Sequence, residues 1–334
     1  MKARLKNFWT WFQARAGKIK DDPRSHADEI SEMLDRLHRG LAWEMGSPDG
    51  RTWDFIIRTE AADLRFLTHE IVAGAPPMPG WNFLSWRPPA PSTDWKIAVG
   101  EGEAFSLGDC TAEIAPDAEF PFLHLVLACP AFQGKPTDRD RYGGYLALDA
   151  LLGEKLVEDA LDSIEFRTGP PGPVAADAMR KEVARGLEEA RSRPLKMPST
   201  WMLLRAEREG RPAFVNLSEN PGWDRVGSLP WLVEVRVAVK ESNEQGLPGR
   251  DELARLQALE DRLEPEVKAR TPGVLWGAVT HDGRRTSGFY VAEPSGLRES
   301  LAAVVAGEGF EAEVVVEYDA RWRTYRQYRP PAES

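Results

Sequence analysis

The side chains able to do chemistry are few and scattered. The histidines are His26, His38, His69, His124 and His281. None stands at ligand spacing from another His or Cys, and neither H-E-x-x-H nor C-x-x-C occurs. The sequence therefore predicts no metal site and no cofactor. His124 falls in the apolar run Phe120–Ala128 and reads as a hydrogen-bonded core residue, while His281 falls at a hairpin tip and reads as solvated. A serine nucleophile needs an adjacent base and an oxyanion site, and there is no G-x-S-x-G elbow. Cys129-Pro130 follows a buried strand, and an inert packed thiol is expected there. Gly100-Glu101-Gly102-Glu103 places acids where a phosphate would need amides and positive charge. Asp251, Glu252, Glu260 and Asp261 are expected to form the wet face of a helix. No catalytic residue is assigned, and the chain reads as non-enzymatic.

One constellation remains. Arg285, Asp319, Arg321, Trp322 and Tyr325 bring together the residue types enriched in binding hot spots. The functional reading makes them a surface for a partner. The structural reading packs Trp322 and Tyr325 onto a sheet through one helical turn, with Asp319 as its cap. Exposure decides between the two.

The elements that must position these residues follow from periodicity. Leu5, Phe8, Trp9, Phe12 and Ala16 form one stripe of a basic amphipathic helix, predicted to dock on the protein's own sheet. A second helix carries Ile30, Met33, Leu34 and Leu37. Strands are predicted at Trp53–Thr59, Trp81–Trp86, Phe120–Ala128 and Ser163–Arg167, with helices at Ala61–Val72 and Tyr145–Ala160. The proline-rich TGPPGPVA at 168–175 breaks the pattern. Beyond it, Leu232–Val239, Val274–Thr280, Arg285–Ala292 and Glu311–Tyr318 read as strands, with helices Asp251–Val267 and Leu297–Val305 between them. The Asp282-Gly283 pair supplies the hairpin turn. The order from Leu232 is β-α-β-β-α-β, and the first half shows the same order with an insertion. The expected fold is α+β: two tandem ferredoxin-like (βαββαβ) sandwich modules, each with additional strands, plus N-terminal helices. The expected boundaries are an N-terminal domain over 1–167, a proline-rich and then helical linker over 168–199, its helical stretch running to about Ser192, and a C-terminal domain over 200–334.

Charge narrows the partner. The net charge is −10. Asp plus Glu outnumber Lys plus Arg by 31 to 25 over residues 1–199 and by 22 to 18 over 200–334, so the acidity is spread. Direct nucleic-acid binding is not expected from such a chain, whereas complementary fields would steer a basic protein to it. The two cysteines, Cys110 and Cys129, are expected as buried thiols of a reducing compartment. No apolar run is long enough to span a bilayer and residues 1–20 lack a signal-peptide core, so a cytoplasmic location is expected and membrane attachment is not.

The C-terminal motifs carry a resemblance. LPWLVEVRV at 229–237, GLPGRDEL at 246–253, GAVTHDGRRTSGFY at 277–290 and YDARWRTYRQYRP at 318–330 together resemble the domain of unknown function 695 family over about residues 201–331. Gly277, Thr280, Gly283, Arg285, Phe289 and Tyr290 match its Gly, Thr, Arg and aromatic positions, and Asp319, Trp322, Tyr325 and Pro330 its closing pattern. Ala278 and Gly288 depart from it. The N-terminal part resembles the start of uncharacterised bacterial proteins. In some proteins this domain is joined to a module resembling the ribonuclease E regulator B family. That resemblance implies a regulatory or adaptor role. The expected function is a bacterial non-enzymatic protein-interaction or regulatory module, of inhibitor, adaptor or immunity type, for a basic or nucleic-acid-handling protein partner of unknown identity. The alternatives are a small-molecule enzyme with its site in an inter-domain cleft and a peripheral membrane protein held by residues 1–20.

Overall fold

The computed structural model describes residues 2–98, 104–130, 132, 137–168, 171–193 and 200–329. The Gly100–Glu103 segment and Pro194 and Pro198 lie outside the described residues. The fold is α+β, in two units, Met1–Ala190 and Arg191–Ser334.

The first unit opens with helices α1 (Lys2–Asp21) and α2 (Ala27–Asp35). Strands β1 (Ala42–Gly46) and β2 (Trp53–Arg58), helix α3 (Arg65–Ala73) and strand β3 (Trp81–Leu84) follow. The α1 stripe is inside. Phe8, Trp9, Phe12 and Ile19 are buried with Phe55, Ile57 and Trp81, and the Trp9 indole donates to the Ile71 carbonyl at 2.8 Å. The aromatic surface that a membrane-lying helix would offer to lipid is thus spent on the helix's own core. No helix among the described residues is long and apolar enough to cross a membrane.

The rest of the unit comprises β4 (Lys96–Ala98), β5 (Ala104–Ser106), β6 (Thr111–Pro116) and β7 (Leu123–Ala128), then helices α4 (Asp138–Leu152) and α5 (Glu154–Ala160). Strands β8 (Leu161–Arg167) and β9 (Val174–Ala175) and helix α6 (Ala176–Ser192) complete it. The single helix expected over Tyr145–Ala160 is two helices, broken at Gly153, whose φ of +84° glycine adopts without cost. Within the segment expected as a linker, α6 turns Met179, Val183 and Leu187 into the core around Leu125 and Leu148.

The expected ferredoxin-like repeat is corrected in this unit. Its four strands fall in two sheets, not one: β1-β2-β3 and β8-β7-β6-β9. Two separate cores explain the split. One is the aromatic core under α1; the other gathers Leu123, Leu125 and Leu127 with Leu148 and Leu152. Cys110 and Cys129 are also corrected. They stand directly opposite one another beyond the Thr111–Ala128 pair, with Cα atoms 4.7 Å apart, and are bonded to each other.

The second unit is one six-stranded antiparallel sheet. Its members are β10 (Trp201–Arg208), β11 (Arg211–Ser218), β12 (Trp231–Ala238), β13 (Gly273–His281), β14 (Arg284–Val291) and β15 (Ala312–Tyr318). The spatial order is β10-β11-β13-β14-β12-β15. Helix α7 (Arg250–Arg270) crosses from β12 to β13 and α8 (Leu297–Gly307) from β14 to β15. They pack on each other and on the sheet. Val233, Val235 and Val237 of β12 point toward that layer, so Leu232, Glu234 and Arg236 point to the other face. A last helical turn, α9 (Arg323–Arg326), follows β15.

Candidate functional site

The five residues singled out in the sequence are divided by the sheet. Arg285 lies on the helix-covered face. Its guanidinium grips Glu260 of α7 with Nε to Oε1 at 2.8 Å and Nη2 to Oε2 at 2.9 Å, while Nη1 donates to Thr280 at 2.8 Å. Ser287 donates to the same carboxylate at 2.7 Å. This bidentate pair fixes α7 to β14.

Asp319, Trp322 and Tyr325 lie on the opposite side. The Asp319 carboxylate accepts from the backbone N–H groups of Arg323 and Thr324 at 2.8 and 2.9 Å and from the Tyr290 hydroxyl at 2.7 Å. Trp322 takes a left-handed conformation, φ +50°, as the residue before α9. Its packing against Trp223 and two further contacts hold it there. Its ring stacks on Tyr290 with centroids 4.4 Å apart, and its indole N–H donates to the Leu229 carbonyl at 2.9 Å. The Tyr325 hydroxyl donates to the Ser218 and Glu219 carbonyls, at 2.8 and 2.9 Å. Burial pushes the Tyr325 phenol up to about 12. Burial, then the Asp319 carboxylate, pushes Tyr290 well above the usual phenol range.

Trp322 and Tyr325 are both 0% exposed, and Arg285, Asp319 and Arg321 are buried with them. The exposure that a docking surface requires is absent, so these five form part of the core instead. Asp319 does cap α9.

The uncovered face of the same sheet carries a groove of about 590 Å³. Glu234, Arg236 and Thr286 lie on its floor, with the exposed Arg284 and Glu209 at its rim and Thr324 and Tyr328 from the C-terminal turn at one end. Arg236 donates to Glu234 at 2.7 and 3.2 Å and reaches Glu313 at 3.5 Å. Burial opposes the Arg236 charge, but these two carboxylates outweigh it and raise its pKa. Tyr328 stacks on Trp276, centroids 5.5 Å apart and planes 17° apart. Burial, followed by the nearby Glu234, raises its phenol pKa. His281 is not merely solvated: its Nε2 lies 3.0 Å from the Arg208 carbonyl, which places the proton on Nε2. Arg284 has no side-chain partner among the described residues and is exposed. The groove can therefore hold polar and charged groups by hydrogen bonds, with one unspent guanidinium at its rim.

Sequence reasoning passed over these residues although one signal was present. In WLVEVRVA the valines alternate with Glu234 and Arg236, and the period of two sends both charges to the uncovered face.

Two further clusters sit in the first unit. Glu44 accepts from Arg58 at 2.5 Å and from Arg87 Nε at 3.0 Å, and Glu154 accepts from Arg65 at 2.7 Å and from the Arg87 backbone at 3.0 Å. Asp149, beside them, is raised to about 6 by burial and by Glu154, against the pull of Arg87, Arg58 and Arg65. Elsewhere, His124 is hydrogen-bonded as expected, but it is half-buried rather than a core residue. Its Nδ1 lies 2.6 Å from the Ser163 hydroxyl and its Nε2 2.7 Å from Asp117, tying β7 to β8 and to the loop after β6. Among the described residues no group of three or more His, Cys, Asp or Glu side chains could hold a metal ion.

The geometry thus defines an α+β unit with a helix-covered face, a sealed aromatic end and an open polar groove. Residues 199–328, which make up nearly all of this unit, match the model of the Family of unknown function (DUF695). No curated protein and no solved structure matches the chain.

Proposed function

We propose that this chain is a protein-interaction or regulatory module, of inhibitor, adaptor or immunity type, and that its second unit works by binding rather than by catalysis. The observation that carries the reading is the groove. It is open, floored by a rigid sheet and lined by alternating acids and arginines, most of them held in ion pairs. Such a surface recognises by charge register and hydrogen bonding. The acid surplus of the whole chain supports a basic partner, including a protein that itself handles nucleic acid. A cytoplasmic setting is part of the same proposal. The second unit reads as a ferredoxin-like frame extended by β10 and β11; the order β13-β14-β12-β15 and two crossover helices packed together support this.

The test uses the full chain as bait in native lysate, beside variants Arg284→Glu and Glu209→Lys at the exposed rim. A stoichiometric basic protein captured by the unaltered chain and lost with either variant is the expected result. Capture indifferent to both variants, or no stoichiometric partner in repeated trials, would overturn the reading.

A further inference from the structure

Strand β10 is one of the two edges of the six-stranded sheet, with β15 at the other. It joins β11 through Glu209 and Gly210, both at positive φ, as a two-residue hairpin closed by the Arg208–Arg211 pair. In such a hairpin the closing residues exchange both backbone hydrogen bonds, and alternate positions do the same. The Glu219 N–H to Thr200 carbonyl bond, at 2.9 Å, keeps that phase at the far end. Even-numbered residues of β10 therefore spend their backbone groups on β11. Trp201, Leu203, Arg205 and Glu207 point theirs outward.

The side chains of these four residues share one face, and all four are exposed. Trp201 is 51% and Leu203 72% exposed, the latter the highest value among the large apolar side chains found at the surface. A long edge without proline or bulge that opens on the apolar run Trp201–Leu204 is a template for another strand, and its charges are confined to Arg205, Glu207 and Arg208. Arg205 and Glu207 have no side-chain partner among the described residues. They stand two positions apart on that same face.

We infer that β10 is the interface for a second copy of this chain, pairing antiparallel with β10 of the copy about a two-fold axis beside Ala206. The strand's own charge order selects this occupant. An antiparallel copy centred there sets Arg205 opposite Glu207 of the copy, and the two-fold repeats the pair. Both unspent charges are then satisfied by one operation, outward backbone groups of the two strands hydrogen-bond, and Leu203 is carried against the hairpin turn of the copy. The four outward side chains lie on the face opposite the groove, and the copy meets the groove's rim only at the Glu209–Gly210 turn, so the pairing does not rest on the proposed binding function.

The experiment is light scattering on the full chain after gel filtration, over a range of concentrations, with circular dichroism confirming the fold of each variant. The unaltered chain is expected at twice the monomer mass. Arg205→Glu, which sets like charges opposite each other twice, should weaken dimerisation at least tenfold. The exchanged double variant Arg205→Glu/Glu207→Arg should restore it. A monomer at every concentration, a dimer indifferent to Arg205→Glu, or a double variant as weak as the single one would each overturn the inference.

Discussion

The indole of Trp276 lies directly over the backbone of Gly288. A Cβ placed on residue 288 would stand 2.1 Å from the Trp276 Nε1. The two belong to neighbouring strands at the point where the β13–β14 register shifts, and the covering ring in turn carries Tyr328, the end wall of the groove.

Gly288→Ala should accordingly displace the indole and lose about 1–3 kcal/mol, the usual range for overpacking a filled core. Urea unfolding would measure the loss. Near-ultraviolet circular dichroism should change with it, since the Trp276–Tyr328 stack cannot survive in place. A variant of unchanged stability and spectrum would show that the glycine is not needed.

The two deeply placed tyrosines make the alkaline limb of stability predictable. Tyr290 and Tyr325 have folded pKa values above the ordinary phenol value of 10.0. Their contribution is fully present below that value and is lost as pH rises toward the folded ones. Absorbance at 295 nm should therefore show Tyr290 and Tyr325, together with Tyr328, ionising only above the ordinary phenol range while the chain stays folded. Tyr290→Phe removes one of them, at the cost of a hydrogen bond to Asp319.

The Arg285–Glu260 pair should follow the logic of buried ions. Arg285→Leu leaves the Glu260 carboxylate largely buried without its cation, a loss of about 3–5 kcal/mol. The double variant Arg285→Leu/Glu260→Leu should recover a good part of that loss. Chemical denaturation of the three proteins closes the cycle, and a double variant as unstable as the single one would contradict it.

Asp149 should act in the opposite sense. Its folded value of about 6 lies above the ordinary 3.8, so the folded chain binds this proton more tightly than the unfolded chain does. Stability is then lost as pH rises between those values, and the full penalty stands above about 6. Asp149→Asn should stabilise the protein at pH 7.5, by at most about 3 kcal/mol. The advantage should shrink as pH falls below about 6 and vanish near pH 4. A difference independent of pH would refute the assignment.

The second unit was largely legible in the sequence. Valine alternation, an Asp-Gly turn and leucines at helical spacing mark strands and helices of full length there, and the four family motifs span it. The first unit was legible in its elements and not in their pairing. Nothing in the local pattern of Trp53–Arg58 or Leu123–Ala128 tells which sheet will receive it. That choice falls to the aromatic stripe of α1, which builds a core of its own. The candidate site failed for a related reason. Arginine, tryptophan and tyrosine recur in hot spots and in capped aromatic cores alike, and only the burial of Trp322 and Tyr325 separates the two. The Asp117–His124–Ser163 chain has no sequence signature at all, because strand pairing brings its members together.

The groove as the binding surface is tested most directly by amide hydrogen exchange on the full chain, alone and with its captured partner. Slowed exchange is expected along Leu232–Arg236, Val279–Thr286 and Thr324–Tyr328. Protection confined to the helices α7 and α8, or to the first unit, would contradict the account.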